Sequence, residues 1–246
     1  MTMCRNFLFS IAVFVLSFSQ ANASDGVFGQ GPSDPSLFLD VINLPGDPEF
    51  GDELTFTVNG VQVNIFEGGT VSGSAGAGSE FNLLGGVIST TAFSALSGSE
   101  VNVIEGLVQN NFTVFGADVN VFGGIFQGTF GAVNGDVNLS GGVFQGSVFA
   151  GSGSDFNIFG SDFALDGLPI TGLSLGETLE IIDRDSVLTG VFENGTSFSF
   201  DLGERNFLDD LVFNAFADVT ITTVPEPNSL LLVCCFGFVA LSIRRR

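Results

Sequence analysis

The stretch ADVNVFGGIFQGTFGAVNGDVNLSGGVFQGSVFA, residues 117–150, contains one cassette twice. Asp118-Val119-Asn120-Val121 returns as Asp136-Val137-Asn138-Leu139, Gly123-Gly124 as Gly141-Gly142, and Ile125-Phe126 as Val143-Phe144. Apolar residues flank each Asn. That alternation marks a strand with one buried face, and it turns the Asn to the other side. The Gly four residues past each Asn, followed by a second apolar pair, reads as a corner and a further strand. Each unit is thus strand, Gly corner, strand, loop.

The cassette extends in both directions, through VQVNIFEGG, SEFNLLGGV, SEVNVIEGL and SDFNIFGSD. Asn64, Asn82, Asn102, Asn120, Asn138 and Asn157 stand at spacings of 18, 20, 18, 18 and 19, and corner glycines follow at Gly68, Gly86, Gly106, Gly124 and Gly142. A helical-pair repeat needs ~34 residues and a propeller blade ~40, so neither fits. The period suits one coil of a parallel β-helix, whose turns stack at ~4.8 Å and place identical side chains in ladders. The expectation is an all-β, right-handed parallel β-helix (solenoid) of about six 18–20-residue coils, followed by a C-terminal β region. The chain has 29 Phe and neither Tyr nor Trp, which fits ladders of wholly interior rings with no polar tip to satisfy. A β-sandwich of short strands remains the alternative.

The repeat sets the domain limits. Residues 54–165 form the repeat domain and 24–53 an acidic, Pro/Gly-rich segment or cap. Residues 166–223 supply further β coils or a cap, with Asn194-Gly195 as a hairpin-type turn. Between Ser24 and Val224 the chain has 26 Asp and Glu against Arg184 and Arg205 and no Lys, a net charge near −24. Nucleic acid is excluded as a partner, because phosphate binding needs clustered Lys and Arg. The three Cys all lie outside this body, which excludes a disulfide scaffold, a thiol nucleophile and a Cys-ligated zinc there.

Both ends of the chain suggest export. The first 23 residues place Arg5 before an apolar stretch from Phe7 to Phe18, then small residues at Ala21 and Ala23. This is the layout of a secretory signal peptide cut between Ala23 and Ser24; a retained anchor is the alternative. At the other end, residues 224–246 join Val224-Pro225-Glu226-Pro227 to an apolar run, Leu230 to Ile243, and then to Arg244, Arg245 and Arg246. Fourteen residues of helix span about 21 Å, a marginal crossing of a ~30 Å hydrocarbon core. Terminal arginines on the cytoplasmic side put the acidic body outside.

This tripartite tail resembles the PEP-CTERM sorting signal of certain Gram-negative and related bacteria, over the last 23 residues only. The resemblance implies that Val224, Pro225, Glu226 and Pro227 are recognition positions for a membrane-embedded exosortase-type enzyme. It also implies that the tail anchors the chain transiently in the inner membrane and is cut near the motif. The expected destination is the cell envelope, cell surface or extracellular matrix. Cys234-Cys235 departs from what the motif demands and leaves open lipidation or packing. A plain C-terminal anchor is the alternative.

Two columns in the body carry polar chemistry. Stacked Asn side chains at positions 64, 82, 102, 120, 138 and 157 form a structural ladder, each amide bonding the next. Two places earlier stand Glu80, Glu100, Asp118, Asp136 and Asp155, like charges that fan into water or share a hard cation, which makes Ca2+ the candidate ligand. Asp183-Arg184-Asp185 reads as a surface turn, and the sequons at Asn111, Asn138 and Asn194 as chance. No catalytic or cofactor-binding residue is assigned: the chain has no His, and the body has no Lys, Tyr or Trp. The leading expectation is an exported, non-catalytic structural protein, with extracellular polysaccharide as a further partner. A calcium-dependent adhesin or carbohydrate-binding module is the alternative, and a polysaccharide lyase or hydrolase comes third.

Overall fold

The computed structural model describes residues 41–46, 51–55, 57–89, 92–203 and 213–225. Within them the protein is all-β, with no helix, and parallel strands stack into a β-solenoid of about six turns. The parallel stack is the β-helix that the repeat predicts; two facing antiparallel layers are not what forms. The signal-peptide positions Ala23 and Ser24 and the tail from Glu226 and Pro227 onward lie outside the described residues.

Three ladders run up the stack. The first carries the Asn cassette: Gln62–Phe66, Glu80–Ile88, Glu100–Val108, Asp118–Val121, Asp136–Leu139 and Asp155–Leu165 pair in parallel, each Asn beside the next. The apolar neighbours of each Asn point inward, as alternation along a strand requires, and pairs such as Val101 and Val103 or Val119 and Val121 have no exposed surface. A corner follows. Gly106 has φ 118° and Gly124 φ 83°, a region that L side chains rarely adopt. A Cβ on Gly106 would sit 2.6 Å from the Gly86 carbonyl oxygen, and one on Gly124 would sit 2.9 Å from Val103 Cγ1. These glycines let one coil lie directly on the last.

Beyond the corner runs the second ladder. Glu53–Leu54 pairs with Thr70–Val71, and Val87-Ile88, Leu107-Val108, Ile125–Phe126 and Val143–Phe144 continue the parallel register. The third ladder corrects the sequence reading, which placed a loop here. Ala92–Leu96, Asn111–Phe115, Phe130–Val133 and Val148–Ala150 form a parallel sheet of their own, so these coils have three strands each. The cause is aromatic burial: Phe93, Phe112 and Phe130 are fully buried and stack face to face at 5.1 and 5.4 Å between ring centroids. Phe126 and Phe144 stack at 4.9 Å on the second ladder, and Phe126 meets Phe130 edge-on at 5.1 Å. Such pairs are worth about 0.5–1.5 kcal/mol each beyond their buried area.

Both ends extend the stack. Val41–Leu44, placed by sequence in the N-terminal segment, pairs with Gln62–Phe66 as a further rung of the first ladder. At the other end the chain leaves the coil path after Leu165. It runs through Val187–Phe192 and Ser197–Asp201, an antiparallel hairpin turned at Asn194-Gly195 and laid against Gly160–Leu165. The chain rejoins the third ladder at Phe213, which bridges Ala150. Asp218–Thr223 then lies parallel on Asp155-Gly160, and Thr178–Glu180 crosses it antiparallel as a lid. Residues 166–203 and 213–223 are therefore both cap and last rung.

Candidate functional site

The outward face of the first ladder bears the repeated polar groups. Each Asn Nδ2 donates to the Oδ1 of the Asn one coil below: Asn82 to Asn64 at 3.0 Å, Asn102 to Asn82 at 3.0 Å, Asn120 to Asn102 at 2.9 Å, Asn138 to Asn120 at 2.9 Å and Asn157 to Asn138 at 3.1 Å. All six predicted positions lie in one chain of bonds. The chain is longer than the cassette revealed. Asn64 donates to Asn43 Oδ1 at 2.8 Å, and Thr220 Oγ1 donates to Asn157 Oδ1 at 2.8 Å, ending the series with a hydroxyl. Asn43 had a legible signal in its apolar neighbours Ile42 and Leu44; Thr220 had none, since it returns 63 residues later by way of the cap.

The amides point the same way, so their dipoles add along the stack. Asn82 and Asn102 use their other N–H on Glu80 Oε1 and Glu100 Oε1, at 2.8 and 3.2 Å. Asn138 both donates and accepts within this ladder, Asn194 Nδ2 donates to the Phe122 carbonyl, and Asn111 Oδ1 accepts from the Thr129 N–H at 3.1 Å, so all three sequon side chains are hydrogen-bonded.

The acidic column forms in the predicted register: Glu80, Glu100, Asp118, Asp136 and Asp155 are successive partners, and Asp218 adds a sixth. The long Glu side chains below reach the Asn ladder. Among the Asp above, partial burial pushes the Asp155 carboxyl above the ordinary value of 3.8. The charges of Asp136 and Asp218 act in the same direction. Asp155, Asn157, Glu180, Asp218 and Thr220 line a shallow dent of about 300 Å³ at the top of the column. Among the described residues no three acidic side chains converge closely enough to hold one metal ion. The Ca2+ candidates therefore form a column, with this dent at its upper end.

Arg184 corrects a second expectation. The turn lies at the surface at Asp183 and Asp185, as expected, but the Arg184 guanidinium between them is buried beneath the cap and donates to the carbonyls of Ile181 and Ala217, the latter at 2.8 Å. Burial lowers its pKa, while Glu180, Asp218 and Asp183 pull it upward. Its Nε has no hydrogen-bond partner. Asp183 and Asp185 stay exposed, and the Asp185 N–H donates to Asp183 Oδ1 at 3.0 Å. Arg184 thus ties the lid strand to the last rung beside the acidic dent.

A second, wider depression of about 350 Å³ is lined by Asp162, Phe163, Pro169, Ile170, Leu173 and neighbours. Asp162 is its sole titratable group, on a bulge at φ 53°. At the end of the last rung, the Val224 N–H donates to the Gly160 carbonyl at 2.8 Å, and Pro225 is exposed. Comparison with known protein families, with curated proteins and with solved structures finds no match.

Proposed function

We propose that the chain is an exported, non-catalytic structural protein of the cell surface or extracellular matrix, sorted by an exosortase-type enzyme through its PEP-CTERM-like tail. The observation that carries the structural role is the unbroken bond series from Asn43 to Thr220, in which the repeated amides bond one another coil after coil. Repetition of this kind builds a stiff, regular stack, and the net charge of −21 keeps copies soluble and apart. The sorting role rests on residues 224–246, and an exposed Pro225 just past the last rung suits a processing enzyme. Mass spectrometry of both native termini tests it. The expected products begin at Ser24 and end near Pro225–Pro227; a protein that keeps both termini overturns the proposal.

A second reading, a calcium-dependent adhesin or carbohydrate-binding module, is favoured by the dent that joins Asp155, Asp218 and Glu180. Two carboxylates at strand spacing repel unless something neutralises them. Binding of extracellular polysaccharide that disappears with a chelator supports this reading. A melting temperature unmoved by millimolar Ca2+ removes it.

A further inference from the structure

Two outward columns flank the glycine corner, and both are apolar. On the first ladder, two residues past the Asn of four successive coils, stand Phe66, Leu84, Ile104 and Phe122. Leu84 is in register with Phe66 and, across a bulge, with Glu105, and Ser140 takes this place in the next coil. On the second ladder stand Val87, Leu107, Ile125 and Val143 in continuous register. Phe66, Ile104, Phe122, Ile125 and Val143 are 43, 42, 50, 40 and 41 % exposed. Singly exposed apolar residues are ordinary, but a contiguous ridge of them over successive coils marks an interaction surface.

The charge around the ridge narrows what can cover it. Glu67 and Glu105 are exposed on its crest, and across the Asn ladder runs the acidic column from Glu80 to Asp218. Among the described residues the one cationic side chain, Arg184, is buried under the cap. Another copy of the chain would bring its own net charge of −21 against the same face. The surface is therefore complementary to an occupant that is apolar on one side and cationic on the other. From Val87 to Val143 the apolar second-ladder column covers four coils, about 14 Å at ~4.8 Å per coil, the length of a helix of about 10 residues.

We propose that this ridge is the docking surface for a cationic amphipathic helix of a partner protein, its apolar stripe on Phe66, Ile104, Phe122 and Ile125 and its Lys or Arg over the acidic column. The partner lies lengthwise along the stack, so its affinity depends on apolar contact and its encounter rate on charge.

The test titrates the full chain, as isolated, into a fluorescein-labelled helical peptide of Leu and Lys in an amphipathic pattern, read by anisotropy. Micromolar binding that weakens with salt is expected. The double variant Ile104→Ser/Phe122→Ser lowers affinity at least about tenfold, because each side chain loses its burial. Leu96→Ser/Phe115→Ser, an exposed apolar pair of the third ladder, leaves affinity unchanged and controls for general loss of apolar surface. Asp118→Asn/Asp136→Asn flattens the salt dependence. The proposal is overturned if the peptide binds the ridge variant as tightly as the parent, or if a peptide with Leu replaced by Ser binds equally well. It is also overturned if the ridge variant loses a neutral glycan or self-association while peptide binding persists.

Discussion

Asn120 sits midway in the amide ladder, donating to Asn102 and accepting from Asn138. Asn120→Ala removes both bonds at once and leaves a donor above and an acceptor below without their partners. A half-buried pair of this kind costs about 1–3 kcal/mol, measured as a lower denaturation midpoint at unchanged slope. Asp155 acts in the opposite sense. Its folded-state pKa is raised, so its carboxylate is less favourable in the native state than in the unfolded chain. The native state then binds the proton more tightly, and the stabilisation from protonation is full below the unfolded value near 3.8 and lost as pH rises through the raised value. Asp155→Asn should therefore raise the melting temperature at neutral pH, by roughly 1–3 °C for relief of repulsion with its two like-charged strand partners, Asp136 and Asp218, and flatten the slope above 3.8. A melting curve that responds to pH identically in the parent and the variant contradicts this assignment.

At the scale of the element, the corner decides whether a coil can close on its predecessor. Gly106→Ala forces a side chain into φ 118° and drives its Cβ to 2.6 Å from the Gly86 oxygen, so a loss of about 2–4 kcal/mol is expected. Gly167→Ala meets only the backbone penalty at φ 75°, with nothing within 4 Å, and should cost about 1–2 kcal/mol; chemical denaturation of both separates clash from strain. The first two strands of each coil and their corner were legible in sequence because Asn and Gly mark them in every unit. The third strand was not: NFTVF, FGAV and VFA share inward apolar residues but no invariant polar one, so their register is visible only once the Phe rings are seen stacked. The acidic column was legible for the same reason as the Asn ladder. Its upper end was not, because Asp218 and Glu180 reach it through the cap, far from their neighbours in the chain. Arg184 was misread because two flanking Asp suggest a solvated turn, whereas the two carbonyls it bonds lie on segments that only the fold brings together.

The whole molecule behaves as a stack in which each coil contacts chiefly those above and below, and stability is then close to a sum of coil and interface contributions. Asp118 through Gly135 is one full pitch, because Asp118 and Asp136 are register partners. Deleting those residues joins Ala117 to Asp136 and sets Asn138 on Asn102, Leu139 on Val103 and Val143 on Leu107, the same types of neighbour that the parent has. The shortened chain should fold with an unchanged β spectrum, a single cooperative transition and a denaturant slope reduced in step with the surface lost. Deleting half as many residues, Asp118 through Phe126, removes two strands, Asp118–Val121 and Ile125–Phe126, and the corner between them. It places third-ladder residues against first-ladder ones and turns the apolar side chains of one against the amides of the other, a conflict that local adjustment does not relieve. The half-pitch deletion should therefore lose cooperative unfolding altogether. Equal behaviour of the two deletions would mean that the coils are not the units in which this chain folds, and the ladders would then be a consequence of the fold instead of its cause.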